Sequence, residues 1–434
     1  MCGIAALLGP VPGGALPALR AMCDAVRHRG PDDEGFALFP PGGCPPRALG
    51  GPDTPPDAYG SGYPYAPEAP ADDGPGPRAI AALGHRRLSI VDVSPAGHNP
   101  MSYDAGRLWI TYNGEVYNYV ELRCELEALG HAFVSHTDTE VILAAWRQWG
   151  RECLNRLNGM FAFALVDRER RTFFAARDRW GIKPLYYWVS PAGFVAFASE
   201  VKQLTGLPGW EPRINGQRAY DFLNWRVTDH TDETLFRGVH QLRGGQFFEA
   251  PLPEGDAAVP YGAGGRVPVG QWYTLRPAPF EGSFDDAAER FRELLTDSVR
   301  LRLRADVPVG SCLSGGLDSS SIVCVMDGLL RMNGGGVQKT FSACSQVPRF
   351  DERRWMEEVV AGTAVEPHYV YPPLDGAFAE LGALTWHQDE PFASTSIYAQ
   401  WSVFRLARQN GVTVMLDGQG ADEQLVGYHN FFGP

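Results

Sequence analysis

Apolar residues recur along this chain in two different rhythms. In its first half short runs dominate, and Gly3-Ile-Ala-Ala-Leu-Leu, Leu108-Trp-Ile-Thr-Tyr, Thr172-Phe-Phe-Ala-Ala and Phe194-Val-Ala-Phe-Ala each predict a strand. Val120, Leu122, Leu126 and Leu129 fall at helical spacing over 119–129, and 140–149 carries a second helix-like apolar run. Strand signals interleaved with two helices predict a layered α+β domain. From residue 285 the rhythm changes. A helix-like segment leads into the short strand signal Asp306-Val-Pro-Val-Gly-Ser-Cys-Leu, and Ile322, Val323, Val325, Met326 and Leu329 mark a helix after it. A strand over 339–343, a helix over 355–360 and a strand over 412–416 follow. Strands alternating with helices predict a parallel α/β sheet.

The punctuation between these patterns is rich in Pro and Gly. The stretch 40–77 has almost no apolar periodicity and is expected to be a surface excursion or a disordered insert. A second loop-rich stretch covers 251–268. The expected organisation is a first domain over 1–210, a connecting region over 211–280 and a second domain over 281–434. Division of 434 residues by a typical domain length suggests roughly three domains, so the patterning reduces that prior to two. A net charge of −13 argues against broad electrostatic binding to nucleic acid or anionic membrane. No apolar run exceeds the seven residues of 160–166, too short to span a bilayer, and the N-terminus lacks a secretory pattern. Eight scattered cysteines without a CxxC pair read as reduced, cytosolic thiols.

Cys2 is the first chemically pointed residue. Removal of Met1 leaves a thiol and a free α-amine on one residue, and the amine, with a pKa near ~8, can act as base for its own side chain. A small hydrophobe in the first strand is the commoner use of such a cysteine. The motifs around it reverse those odds: Met1-Cys-Gly-Ile-Ala, Arg27-His-Arg-Gly-Pro-Asp-Asp-Glu-Gly, Gly84-His-Arg-Arg-Leu-Ser-Ile-Val-Asp, Tyr112-Asn-Gly-Glu-Val-Tyr-Asn, Ser135-His-Thr-Asp-Thr-Glu and Gly159-Met-Phe-Ala-Phe-Ala. In this order they closely resemble the glutaminase domain of the glutamine-hydrolysing asparagine synthetases, class II amidotransferases of the N-terminal-nucleophile (Ntn) type. The resemblance covers roughly 1–205 and implies a layered Ntn fold with Cys2 as nucleophile. Asn113 and Gly114 suit an oxyanion hole, since they offer a side-chain and a backbone N–H on one tight turn. Asn-Gly is more often a plain hairpin turn. A free amino acid also brings a carboxylate and an ammonium. The resemblance places the carboxylate on Arg87 rather than Arg86, with Leu88, Ser89, Ile90 and Val91 alongside, and Glu115 and Asp138 suit the ammonium. Asp138 has the alternative of capping the following helix.

In the second half Ser314-Gly-Gly-Leu-Asp-Ser-Ser lies between a predicted strand and a helix, a natural anion site. It is not a Walker loop. It is similar to the pyrophosphate loop of the N-type ATP pyrophosphatases, in the form that asparagine synthetases use. The resemblance implies ATP and Mg²⁺ as cofactors. Leu313, Ser314, Gly315, Gly316, Asp318, Ser319, Ser320, Ala343, Asp417 and Gly418 would bind ATP, and Asp318 and Asp422 would hold the metal. Gln419 stands where many family members have a glutamate associated with forming the aspartyl adenylate. The implied reaction is glutamine-dependent amidation of aspartate to asparagine in the cytoplasm, with glutamine and aspartate as partners, no nucleic acid or membrane, and a possible homodimer. Gln419 keeps open a related enzyme acting on another carboxylate. The chain also stops well before the family's usual length at Pro434, so a non-catalytic ligand-binding fragment is a further reading.

Overall fold

The computed structural model describes residues 1–72 and 74–427, and positions 428–434 of the expected second domain lie outside them. The chain divides into two compact units, 1–277 and 278–434.

The first unit is built on two stacked antiparallel sheets. One runs in the order Val239–Gln241, Tyr186–Val189, Val195–Ala198, Gly3–Leu8, Ala81–Arg87, Asp33–Phe39, Arg47–Gly50, Ala69–Pro70. Its last pair alone is parallel. The other runs Val269–Gln271, Gln246–Pro251, Thr172–Arg177, Gly159–Asp167, Leu108–Val116, Met101–Tyr103. The strand Gly3–Leu8 is apolar throughout because both of its faces are covered. Ile4, Ala6 and Leu8 join Ile110, Phe163 and Phe173 between the sheets, while Ala5 and Leu7 meet Leu16, Leu19 and Met22 of the helix Ala15–Ala25. Period-two alternation thus feeds two cores at once. On the far face of the second sheet lies the helix Asp138–Trp149, whose Trp146 ring sits 4.5 Å from that of Phe174. Helix, sheet, sheet and helix give the layered α+β arrangement expected.

Two stretches expected as loops belong to this packing. Within 40–77, Arg47–Gly50 and Ala69–Pro70 extend the first sheet, and Tyr65 is buried with its hydroxyl donating to the Ala96 carbonyl at 2.6 Å. The composition misled because Pro and Gly set only local turns. Burial here is supplied by isolated aromatics that follow no period. Likewise 211–280 does more than connect. Val239–Gln241 pairs with Tyr186–Val189, Gln246–Pro251 pairs with Thr172–Arg177, and Val259 and Val267 of the loop-rich 251–268 are buried in the main core.

The second unit carries a four-stranded parallel sheet ordered Glu366–Val370, Lys339–Ala343, Val309–Cys312, Val414–Leu416. Helices cover both faces. Leu416 packs with Val299 of Phe284–Arg302 and Met326 of Leu317–Met332, and its neighbour Met415 packs opposite with Val403 of Ser396–Gln409. In chain order the strands read 3-2-1-4, so connections leave in opposite directions on either side of Val309–Cys312. This is the switch point where open α/β sheets bind ligands. No helix among the described residues is long and apolar enough to cross a membrane.

Candidate functional site

Cys2 precedes the first strand, and its partly exposed sulfur accepts the backbone N–H of Leu88 at 3.4 Å. The register explains the meeting: Gly3 lies opposite Arg86, so Cys2 falls level with Arg87 and Leu88 follows directly after it. Arg29 fixes the other side. Its Nε donates to the Cys2 carbonyl at 2.9 Å and its Nη1 to Glu200 Oε1 at 2.8 Å. Burial pushes the Glu200 carboxyl up, but His28, Arg29 and Lys202 outweigh it and hold the group down at about 2. The Met1 side chain is half exposed, but its amino group is buried, and burial first, then Arg29 and Lys183, lowers that amine to about 5 against the pull of Cys2 and Glu115.

Asn113 lies in the strand Leu108–Val116 with Gly114 and Glu115, and Glu115 adds its charge to the surroundings of the Met1 amine. The Asn113 side chain is buried, and among the described residues its Nδ2 has no hydrogen-bond partner. A buried amide N–H left unmade is costly unless a ligand satisfies it. A Cβ at Gly114 would lie 2.3 Å from the Met160 carbonyl, so the strand pairing itself requires glycine there. Asp138 is the first residue of its helix but not its cap, which is Thr137. Its Oδ2 instead accepts the Tyr112 hydroxyl at 2.7 Å and the Val116 N–H at 2.8 Å. The helix is thereby pinned to the end of the Asn113 strand.

Arg86 and Arg87 point to opposite faces of their strand. Arg86 is fully buried, with Nη1 2.5 Å from Asp53, Nη2 3.3 Å from Asp24 and Glu34 at 3.5 Å. Arg87 turns toward the loop that follows, where it donates to the carbonyls of Ser94, at 3.1 Å, and Asp92. Of the loop residues, Leu88 touches the sulfur and Ser89 N–H donates to Asp32 at 2.8 Å, while Ile90 and Val91 are half-buried. Three residues near Cys2 were missed from sequence. Arg29 stood inside a quoted motif without a role, and Glu200 and Lys183 carry no periodic signal. Lys183 is 4% exposed, and its Nζ lies 3.0 Å from Met1 Sδ.

In the second unit Leu313 is buried and its N–H donates to the Phe341 carbonyl at 3.0 Å. The Ser314 and Ser319 hydroxyls lie 3.0 Å apart, and Ser314 Oγ also accepts the Gly316 N–H at 3.3 Å. Gly316 caps the helix Leu317–Met332, leaving N–H groups of its first turn for an anion. Gly315 has φ +81° and a Cβ there would come 2.8 Å from Trp355 Cβ. A Cβ on Gly418 would come 3.0 Å from Asp318 Cβ, so the Asp417-Gly-Gln-Gly turn closes on the serine-rich loop. Ser320 and Ala343 are half-buried and Gln419 is exposed. Burial, then Asp422 and Glu423, raises the Asp318 carboxyl. Crowded carboxylates of that kind fit a divalent cation shared with phosphate oxygens. Among the described residues no set of three or more His, Cys, Asp or Glu forms a metal cage by itself.

Residues 70–257 match the family model described as a glutamine amidotransferase domain, and 290–434 match that of asparagine synthase. The chain is 35% identical to asparagine synthetase [glutamine-hydrolyzing] 1 of Bacillus subtilis (strain 168), over 81% of this chain and 52% of that protein. It is 32% identical to a putative asparagine synthetase [glutamine-hydrolyzing] of Mycobacterium tuberculosis (strain ATCC 25618 / H37Rv), over 99% and 60%. It is also 32% identical to amidase chry2 of Gibberella zeae, over 80% and 51%. The chain therefore spans about half to three fifths of the length of these relatives.

Proposed function

The chain belongs to the glutamine-hydrolysing asparagine synthetase family, and on that premise we propose that it releases ammonia from glutamine at Cys2 and uses it to amidate a carboxylate activated by ATP. The observation that carries this reading is the Cys2 sulfur 3.4 Å from the Leu88 N–H, in the same unit as the buried Asn113 amide, which has no hydrogen-bond partner among the described residues. Once Met1 is removed, the Cys2 amine takes the thiol proton as sulfur attacks the glutamine side-chain carbon. Asn113 Nδ2 and the Gly114 N–H receive the oxyanion. The C–N bond then breaks, the proton passes to the leaving nitrogen, and water releases glutamate from the thioester. Arg87 receives the substrate carboxylate, while Glu115 and Asp138 favour its ammonium.

In the second unit the 314–320 loop and its helix N-terminus bind the β- and γ-phosphates as one leaving group, with Leu313, Ala343, Asp417 and Gly418 around the nucleotide. A substrate carboxylate attacks the α-phosphorus, pyrophosphate departs, and ammonia displaces AMP. Asp318 and Asp422 would hold Mg²⁺, which supplies charge neutralisation for the departing pyrophosphate. Aspartate is the proposed acceptor, with Gln419 near its activation. A second reading, another carboxylate, is favoured by the exposed neutral Gln419 and by the relative named an amidase. Cys2→Ala is expected to abolish glutamine-dependent turnover and to spare ammonia-dependent synthesis. Equal loss of both sinks the two-site mechanism. An ATP–pyrophosphate exchange assay with and without aspartate separates the two acceptors, and retained Met1 in an intact-mass measurement excludes the N-terminal nucleophile.

A further inference from the structure

Lys183 has a feature the mechanism so far does not use. It is 4% exposed, yet among the described residues its ammonium makes no ion pair, and its one hydrogen-bond contact is the weak acceptor Met1 Sδ at 3.0 Å. Burying an ammonium without a carboxylate partner is expensive, and here the fold does so deliberately. The Asp178 carboxylate organises the turn that presents it. Oδ1 accepts the N–H groups of Trp180 and Ile182 at 3.0 Å, and Oδ2 accepts those of Phe161 at 3.1 Å and of Lys183 itself at 3.0 Å. The Lys183 carbonyl in turn accepts Arg177 Nε at 2.7 Å. Its backbone is held at both ends, so the side chain has little choice of direction. That direction is the N-terminus.

We propose that Lys183 is a charge-positioning residue of the glutaminase site, whose buried ammonium faces the Cys2 amine after Met1 is removed and keeps that amine unprotonated near neutral pH. The inference rests on the glutaminase reading given above. The Met1 thioether that now satisfies Nζ leaves with the methionine, so the ammonium then faces the position that Met1 occupied. The charged groups around the N-terminal amine are Cys2 next to it in the chain, Arg29 from the turn after the helix Ala15–Ala25, Glu115 from the strand Leu108–Val116, and Lys183. Glu200 largely engages the Arg29 charge, and it also meets His28 and Lys202. Lys183 has no such counterion in direct contact. Burial lowers the Lys183 ammonium to about 8 against the pull of Glu115, so it is mostly charged at pH 7. A cation at this range disfavours a second cation on the amine and offsets the negative charge that develops on sulfur and oxyanion.

The test is the pH dependence of kcat/KM for glutamine hydrolysis by the full chain, with Met1 removal verified by intact mass. Lys183→Met is expected to move the acid limb up by about one unit, since a nearby like charge shifts a pKa by roughly 1–3 units. Activity well below the limb, where the amine is mostly protonated in both proteins, should then fall by about tenfold and recover at high pH, while Lys183→Arg leaves the limb in place. An unmoved limb in Lys183→Met, or a loss uniform across pH, overturns the inference and indicates a packing role. Should Lys183→Met not fold, Lys183→Gln, which removes the charge and keeps a polar side chain, decides by the same limb: a limb that moves up supports the inference and one that stays in place overturns it. Wild-type protein that releases no glutamate defeats the glutaminase reading itself. Active wild type with inactive Cys2→Ala and an unmoved Lys183→Met limb defeats this inference alone.

Discussion

The two proposed sites would solve the same problem, holding a reactive small molecule in place, by opposite means. In the first, side chains do the positioning, and they are buried in networks set before any ligand arrives. Asn113, Arg86, Asp138 and Asp178 are all buried, and the sheets around them share one large apolar core. In the second, backbone does the positioning. The Ser314 loop and the Asp417 turn are fixed by glycines and by the switch point of a parallel sheet, and the apolar clusters beneath are small. Phe284, Leu317 and Phe378 are each more than four-fifths exposed in that unit. A side-chain site should therefore be vulnerable to single truncations, whereas a backbone site should be vulnerable to added atoms.

The sharpest form of that contrast is Asn113→Ala. Losing one oxyanion donor costs ~10²–10³ in kcat, or about 3–4 kcal/mol. Steady-state glutaminase assays should show this fall in kcat with KM little changed, and ATP–pyrophosphate exchange should be untouched. A drop below tenfold would mean that Gly114 or another group carries the oxyanion, and the buried Asn113 amide would lose its explanation.

Glu200 tests whether the side-chain network also sets stability. Its folded pKa, about 2, lies below the ordinary carboxylate value. A group depressed in this way contributes stability that is present above its unfolded pKa and is lost as pH falls through the folded one. The gap is worth on the order of 3 kcal/mol, lost between about pH 5 and 2. Glu200→Gln should remove most of it at pH 7 and flatten the acid limb of urea-unfolding stability. Parallel acid limbs in variant and wild type would show that the Arg29–Glu200–His28 cluster adds nothing net.

The added-atom prediction belongs to the second unit. Gly315→Ala puts a residue at φ +81°, costing ~1–2 kcal/mol, and forces a Cβ to 2.8 Å from Trp355 Cβ. Gly418→Ala needs only a few tenths of an ångström from Asp318, at 3.0 Å. Calorimetric titration with a non-hydrolysable ATP analogue should rank the losses in that order. Equal losses would place the nucleotide against the Asp417 turn rather than the serine-rich loop.

Those same features explain what was legible in the sequence. Gly3–Leu8, Leu108–Val116 and the motif at Ser314 are local patterns, with periodicity for strands and fixed residue types for the glycine- and serine-rich loop. The helix over 140–149 was legible too, although its true start, Asp138, is set by the Thr137 cap. What could not be read was long-range. Asp53 lies in a stretch that looks like a disordered insert, yet it reaches Arg86 across 33 positions. Burial pushes its carboxyl up, but Arg86 and Arg27 hold it below the usual range. Lys183 meets Met1 across 182 positions. No period or composition encodes a contact between residues so far apart, and only the sheet register brings them together.

The smallest expected effect asks whether the first unit's order is local or shared. Thr137 Oγ1 accepts the Glu140 N–H at 3.1 Å, and the Glu140 carboxylate returns to the N–H groups of Val134 and Ser135 at 3.0 and 2.8 Å. The cap therefore fixes both the helix and the chain entering it, one residue before Asp138 is pinned to Tyr112 and Val116. Thr137→Ala should cost about 1 kcal/mol, and Thr137→Ser should recover it. In hydrogen exchange read by mass spectrometry, peptides covering 138–149 should then exchange about fivefold faster. If the site network is one cooperative block, peptides covering 108–116 should accelerate with them through Asp138, while those covering 309–416 stay unchanged. Acceleration confined to 138–149 would mean that the helix frays independently, and that the Asn113 strand owes its position to the sheet register alone.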